Sequence, residues 1–162
     1  WGPVDADGIV IDVRGCSDAP ALAVQTADCL PVVFSAASGQ VVAAVHAGRR
    51  GLLGGILVRA AQRIRALVDG PLEALIGPAI CGRCYEVPAD MAAASEGLIP
   101  GIRGRTSWGT PALDLPHAAA ASLTDLGVRV DIDERCTLED PGLFSYRADP
   151  SCGRQALVII PA

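Results

Sequence analysis

The sequence predicts a layered α+β domain. Short apolar segments rich in Val, Ile and Leu recur along the chain, and helical patterns separate only some of them. Because the strands come in groups and do not alternate one by one with helices, a layered α+β arrangement fits better than a doubly wound parallel sheet. The predicted strands are residues 8–13, 21–25, 30–35, 40–46, 72–76, 128–132 and 155–160.

Apolar residues at helical spacing, with polar residues on the other side, predict the helices. Pro88 is tolerated in a first turn, Asp114 can cap a helix, and Gly127 can end one. Residues 97–111 are rich in Gly, Ser, Thr and Pro, so we predict a long loop there. The predicted helices are residues 53–67, 88–96 and 118–126.

The composition limits the classes of partner. A chain of 162 residues should form one domain that buries roughly 68–70% of its unfolded surface. No apolar run approaches the ~20 residues that a membrane span requires. The net charge is −5, no basic tract is present, and only 4% of the residues are aromatic. We therefore predict neither a membrane nor a nucleic acid as partner.

The six cysteines indicate whether the protein folds in a reducing or an oxidising compartment. An even number is compatible with disulfides in a secreted protein. No signal-peptide pattern is seen, and a chain of this size can fold without disulfides, so we expect reduced thiols and a cytoplasmic location. Cys81 and Cys84 have CxxC spacing, but no second CxxC or HxxH pair completes a zinc site, and we predict neither a zinc nor a redox role for them.

Cys29 and His46 are the most informative pair of residues. Cys29 directly precedes the predicted strand 30–35, and His46 ends the strand 40–46, with a turn at Ser38 between the two strands. An antiparallel return brings these two strand ends together. A thiolate and an imidazole in one place suit either a metal site or a cysteine nucleophile.

The residues around this pair suggest an anion site. Glycines, two arginines and a helix start follow His46, and Arg49 or Arg50 could grip a phosphate or a carboxylate. The alternative is a glycine-rich connector with solvated arginines. Asp28 could orient His46 or a ligand, or it could cap the turn.

Several short motifs span nearly the whole chain in a fixed order. They are residues 5–8, 24–31, 42–51, 76–80, 84–87, 113–115, 144–147 and 153–154. Together they resemble the laccase-like multicopper polyphenol oxidase family, which is also described as purine nucleoside phosphorylases and as peptidoglycan-editing factors. The resemblance implies a mixed β-sheet sandwich flanked by helices.

The resemblance also implies a zinc site with three protein ligands. Cys29 and His46 match two of them, and the third, a histidine, is expected upstream of Trp1. The chain would then be a single catalytic domain over residues 1–162, N-terminally truncated relative to the family. With only these two ligands, we expect the chain to bind zinc weakly or not at all. We do not predict that His117, at the start of a helix, replaces the missing ligand.

The activity implied by the resemblance is that of a zinc-dependent purine nucleoside enzyme. It would phosphorolyse adenosine or inosine and deaminate adenosine, so its partners would be a purine nucleoside and phosphate. A zinc ion would lower the pKa of bound water toward ~7 and supply hydroxide at C6 of the purine. Arg50 is the candidate phosphate anchor. Arg49 stands where the family usually has Trp, and Arg147 belongs to a motif near the active-site mouth.

Three alternatives remain open at this point. A polyphenol oxidase would require copper, but multicopper chemistry needs more histidines than the two in this chain. A Cys-dependent amidase or peptidase acting on cell-wall precursors would use Cys29 as nucleophile and His46 as base. An inactive, truncated domain would serve in assembly. Metal analysis distinguishes among these.

Overall fold

The computed structural model describes residues 6–162, which contain nine strands, four α-helices and one short 3-10 turn. The strands are β1 Gly8–Asp12, β2 Leu22–Thr26, β3 Leu30–Ala36, β4 Val41–Ala47, β5 Leu72–Ile76, β6 Arg103–Arg105, β7 Pro111–Leu113, β8 Arg129–Ile132 and β9 Gln155–Ile159. The helices are α1 Arg49–Leu53, α2 Ile56–Arg65, α3 Ala89–Glu96 and α4 Leu115–Thr124. None of the described helices is long and apolar enough to cross a membrane.

Five strands form the central mixed sheet, in the order β1-β4-β3-β5-β8. The pairs β1–β4, β4–β3 and β3–β5 are antiparallel, whereas β5 and β8 are parallel. Strands β2 and β9 form a second, two-stranded antiparallel sheet. The parallel pair places the C-terminal ends of β5 and β8 at the same edge of the central sheet.

The strands β3 and β4, in the middle of the central sheet, are buried on both faces, which explains why they are nearly continuously apolar. On one face, Val33, Val42 and Ala44 pack against Leu22 and Val24 of β2. The alternate residues of β3 and β4 point to the other face, where they join the main core with α2 and α4. The layered α+β class and the β-sheet sandwich flanked by helices are therefore confirmed.

Local differences from the predicted elements have physical reasons. The helical pattern from Leu53 to Leu67 is interrupted, because Gly55 has a φ of 77° and separates α1 from α2. The segment 97–111, predicted as a loop, contains β6 and the start of β7, which form a small hairpin. Its strands are too short to show a period. Helix α4 begins at Leu115, directly after its cap Asp114, and so earlier than predicted.

Candidate functional site

The pairing of β3 with β4 brings Cys29 and His46 to the same end of the central sheet. Pro31 pairs with His46 and Leu30 pairs with Ala47, so Cys29 lies one residue beyond the last pair. Both side chains are partly buried. The antiparallel return expected from the sequence thus places the two strand ends side by side.

Both side chains lie close to Gly48. A Cβ atom at Gly48 would be 3.1 Å from the Sγ of Cys29 and 3.6 Å from the Nε2 of His46. Real Cβ atoms seldom approach a neighbour as closely as 3.1 Å. The absence of a side chain at Gly48 therefore leaves the thiol and the ring nitrogen facing the same small space.

Asp7 holds the other nitrogen of the His46 ring. Its carboxylate Oδ1 lies 3.0 Å from Nδ1 of His46, and its backbone oxygen accepts the backbone N–H of His46 at 2.7 Å. Asp7 directly precedes β1, and the pairing of Gly8 with Val45 places it beside His46. The Cys29 side chain, and secondarily Asp7, raise the pKa of His46 to about 9. The arrangement fixes the ring and leaves Nε2 directed toward Cys29.

An open cavity adjoins His46. It has a volume of about 380 Å³, and its lining residues are Asp7, His46, Gly48, Arg49, Arg50 and Gly51. Ligand pockets commonly have ~300–1,000 Å³, so this cavity lies near the lower end of that range. The structure therefore brings both arginines next to His46.

Asp28 and Arg147 form a separate network behind Cys29. The carboxylate of Asp28 accepts the Oγ1–H of Thr137 and the backbone N–H of Arg147, each at 2.7 Å. The hydrogen bonds of the described Asp28 side chain therefore do not reach His46, and Asp7 takes the orienting position considered for Asp28. The guanidinium of Arg147 donates to the backbone oxygen of Glu86 and lies 5.3 Å from the centre of the Tyr85 ring.

His117 lies at the N-terminus of α4, where its side chain is 62% exposed. Its Nδ1 is 3.1 Å from the Asp114 carboxylate, which raises the pKa of His117. The residue is thus an exposed helix residue paired with its cap.

A second group of potential metal ligands was missed in the sequence. Ligand atoms of Cys81, Cys84, Cys136 and Glu139 all lie within 4.8 Å of one another. These four residues are called the Cys₃Glu cluster below. The CxxC pair in the sequence indicated two of these four ligands. The other two form a Cys-x-x-Glu pair, Cys136 and Glu139, which a search for a second CxxC or HxxH pair does not detect.

Solved structures of other proteins share this fold. A Neisseria meningitidis protein superposes with a TM-score of 0.81 at 36% identity, covering 99% of this chain and 67% of its own. YlmD from Geobacillus stearothermophilus also superposes with a TM-score of 0.81, at 32% identity, covering 96% of this chain and 61% of its own.

Residues 3–162 match the family described as multi-copper polyphenol oxidoreductase laccase, and the chain belongs to this family. The family resemblance inferred from the motifs is confirmed. A protein of Mycobacterium tuberculosis named purine nucleoside phosphorylase is 46% identical over 158 residues, covering 96% of this chain and 62% of that protein. A Streptomyces griseus protein of the same name is 46% identical over 153 residues, covering 93% and 61%. The chain thus spans about three fifths of the length of these relatives.

Proposed function

We propose that the protein is a zinc-dependent purine nucleoside enzyme whose catalytic centre is formed by Cys29 and His46. It would cleave adenosine or inosine with phosphate and would also deaminate adenosine. The observation that carries the proposal is the joint approach of Cys29 Sγ and His46 Nε2 to Gly48, with Asp7 on the opposite ring nitrogen. The names of the relatives support the nucleoside as substrate.

Cys29 and His46 are two of the three zinc ligands that the family resemblance implies, and the third is expected upstream of Trp1. Thiolate sulfur and imidazole nitrogen are both common zinc ligands, and catalytic sites keep a position open for water or substrate. Metal-ligating histidines usually donate their second ring N–H to a carboxylate, which is the role that Asp7 takes here. When bound, the zinc supplies Lewis acidity and lowers the pKa of water to about 7.

The arginines beside His46 would bind the anionic co-substrate. Arg50 is the proposed phosphate anchor, with Arg49 as a second cationic group on the wall of the same cavity. In phosphorolysis, a phosphate oxygen bonds to C1′ of the ribose, the N-glycosidic bond breaks, and the purine leaves with a proton. Arg147, held against Glu86 and Tyr85, is proposed as a further contact to substrate.

Turnover of nucleosides tests the proposal. Purified protein is incubated with inosine and phosphate, or with adenosine alone, and hypoxanthine, ribose 1-phosphate and inosine are measured by chromatography. Cys29→Ala and His46→Ala should each abolish turnover, while the exposed Cys16→Ser should retain it. With chelator present in both samples, each variant should unfold at a temperature close to that of the wild type. Full activity in either alanine variant contradicts the proposal.

The same geometry favours one second candidate. A thiol, an imidazole and a carboxylate in series also form a cysteine nucleophile activated by an oriented base, as in an amidase or peptidase. Hydrolysis of a cell-wall peptide amide that survives a metal chelator but is lost on alkylation of Cys29 favours this candidate. Nucleoside turnover that a chelator removes and zinc restores favours the first.

A further inference from the structure

The Cys₃Glu cluster forms because β5 and β8 are parallel neighbours. The chain leaves β5 and reaches Cys81 and Cys84, and it leaves β8 and reaches Cys136 and Glu139. A further bridge between Ala79 and Cys136 continues the parallel pairing past the strand ends. Residues 55 positions apart in the sequence therefore lie in one small volume.

The CxxC segment forms a turn in which the sulfurs of Cys81 and Cys84 lie within 4.8 Å of each other. The backbone N–H groups of Cys84 and Tyr85 both donate to the backbone oxygen of Cys81, at 3.0 and 2.9 Å. The backbone N–H of Cys81 donates in turn to the Sγ of Cys136 at 3.3 Å. This hydrogen bond places the sulfur of Cys136 directly beside the CxxC turn.

The second segment supplies a turn of similar form. The backbone N–H groups of Glu139 and Asp140 donate to the backbone oxygen of Cys136, at 3.1 and 2.9 Å. This turn brings Oε1 of Glu139 to 3.3 Å from the Sγ of Cys84. Arg83 lies 3.2 Å from the other carboxylate oxygen and holds the side chain in place.

The two innermost sulfurs of the cluster are shielded from water. Cys84 and Cys136 are buried, with 4% of their surface exposed. Three sulfurs and a carboxylate in contact repel one another once they are ionised, and a divalent cation between them removes that repulsion.

We propose that the Cys₃Glu cluster is a structural zinc site, separate from the proposed catalytic centre. Four protein ligands are typical of zinc sites that have no open position, and the four ligand atoms here lie within 4.8 Å of one another. Zinc accepts both thiolate and carboxylate ligands, whereas Cu(I) selects soft thiolate and thioether ligands, so Glu139 favours zinc. Binding would release the thiol protons to solvent.

The site would anchor the segments that support Cys29. Thr137, next to Cys136, donates to the Asp28 carboxylate, and Ile80, next to Cys81, donates its N–H to the backbone oxygen of Asp28. Asp28 has a φ of 86°, an uncommon conformation for a residue other than glycine, and these contacts hold it. A metal in the cluster would thus fix the residue that precedes Cys29.

Metal content separates this site from the catalytic centre. The double variant Cys29→Ala/His46→Ala, which removes the proposed catalytic ligands, should retain about one zinc per chain after dialysis. Cys136→Ser in that background should lose the zinc, and Cys16→Ser should not. A double variant without zinc overturns the inference, whatever the outcome for nucleoside turnover.

Thiol reactivity in the double variant without Cys29 provides a test that does not depend on how Cys136→Ser folds. Under native conditions Cys81, Cys84 and Cys136 should resist alkylation, and a strong chelator should make them reactive. Cys16 should react in both states. Protection that a chelator leaves unchanged but a reductant removes would show a disulfide and overturn the inference. X-ray absorption with three sulfurs and one oxygen around zinc would support it.

Discussion

At the scale of single residues, Asp7 determines the orientation and the tautomer of the His46 ring. The carboxylate on Nδ1 fixes the ring orientation and directs Nε2 toward Cys29. Such partners of a ligating histidine raise its basicity and set its tautomer. Asp7 belongs to a sequence motif of the family, but no local pattern assigns it to a histidine 39 positions away.

Replacement of Asp7 should impair the centre without unfolding the protein. Asp7→Ala is expected to lower zinc affinity at the Cys29–His46 centre, or nucleoside turnover, by about 10–100-fold. Asp7→Asn, which keeps a hydrogen-bond acceptor, should restore part of the loss. Titration with zinc and steady-state kinetics measure the effect. The exposed Asp18→Ala is the control, and an equal loss in that variant would refute the role of Asp7.

Gly48 allows a second prediction at this scale. A methyl group there would lie 3.1 Å from the Cys29 sulfur and fill the space between the proposed ligands. Its backbone is in an ordinary extended conformation, so Gly48→Ala should fold. We expect activity to fall at least about 10-fold with a small change in melting temperature. Gly97→Ala, where a Cβ meets only ordinary contacts, should stay active. Unchanged kinetics in Gly48→Ala would argue against a metal between the two side chains.

At the scale of elements, the CxxC segment packs against the start of α4. A Cβ at Gly82 would lie 2.6–2.7 Å from side-chain atoms of Asp114, which caps this helix. The close approach requires glycine between the two cysteines. The cap and the Cys₃Glu cluster are therefore coupled through one contact.

Substitution of Gly82 should disturb both features together. Gly82→Ala is expected to lower the free energy of unfolding by about 1–3 kcal/mol, because the methyl group must displace Asp114. The same variant should lose zinc from the cluster more readily. Denaturant unfolding and metal analysis measure the two effects. Gly104→Ala, where the nearest atom would be 3.6 Å away, is the matched control and should be neutral. A Gly82→Ala protein as stable as this control would contradict the coupling.

At the scale of the whole molecule, the sheet order places the two candidate metal centres. The β3–β4 ends carry Cys29 and His46, while the ends of β5 and β8 carry the Cys₃Glu cluster. The strands β3 and β5 are neighbours in the same sheet, so contacts through Asp28 link the two regions. Metal analysis gives the total metal content per chain, so variants that lack the ligands of one centre are needed to show which centre holds the metal.

Removal of metal should therefore destabilise the whole fold. A ligand that binds only the folded state at 100 times its Kd adds about 2.7 kcal/mol of stability. For a chain of this size, a chelator should lower the melting temperature on the order of 5–10 °C. The shift should persist in Cys29→Ala/His46→Ala and vanish when Cys136→Ser is added to that double variant. A shift that disappears in the double variant would place the stabilising metal at the catalytic centre.

Much of the fold could be predicted from local patterns. Strand β5 has the predicted bounds, β3 and β9 each differ by one residue at one end, and β4 is shifted by one residue at both ends. The hairpin of β3 and β4 also placed Cys29 beside His46, because their separation along the chain is short and one turn determines the return. The helix break at Gly55 and the short hairpin of β6 and β7 were missed, since each depends on a few residues without a period.

The sequence by itself therefore determined the fold class, the main strands and the neighbourhood of Cys29 and His46, because burial on a sheet or helix face leaves a local period in the chain. Only the tertiary structure decided which remote side chains meet. Asp7 reaches His46 through the β1–β4 register, and Cys136 and Glu139 reach the CxxC segment through the parallel β5–β8 pair. Strand order in a sheet depends on the packing of the whole core, and that information is not contained in any single segment.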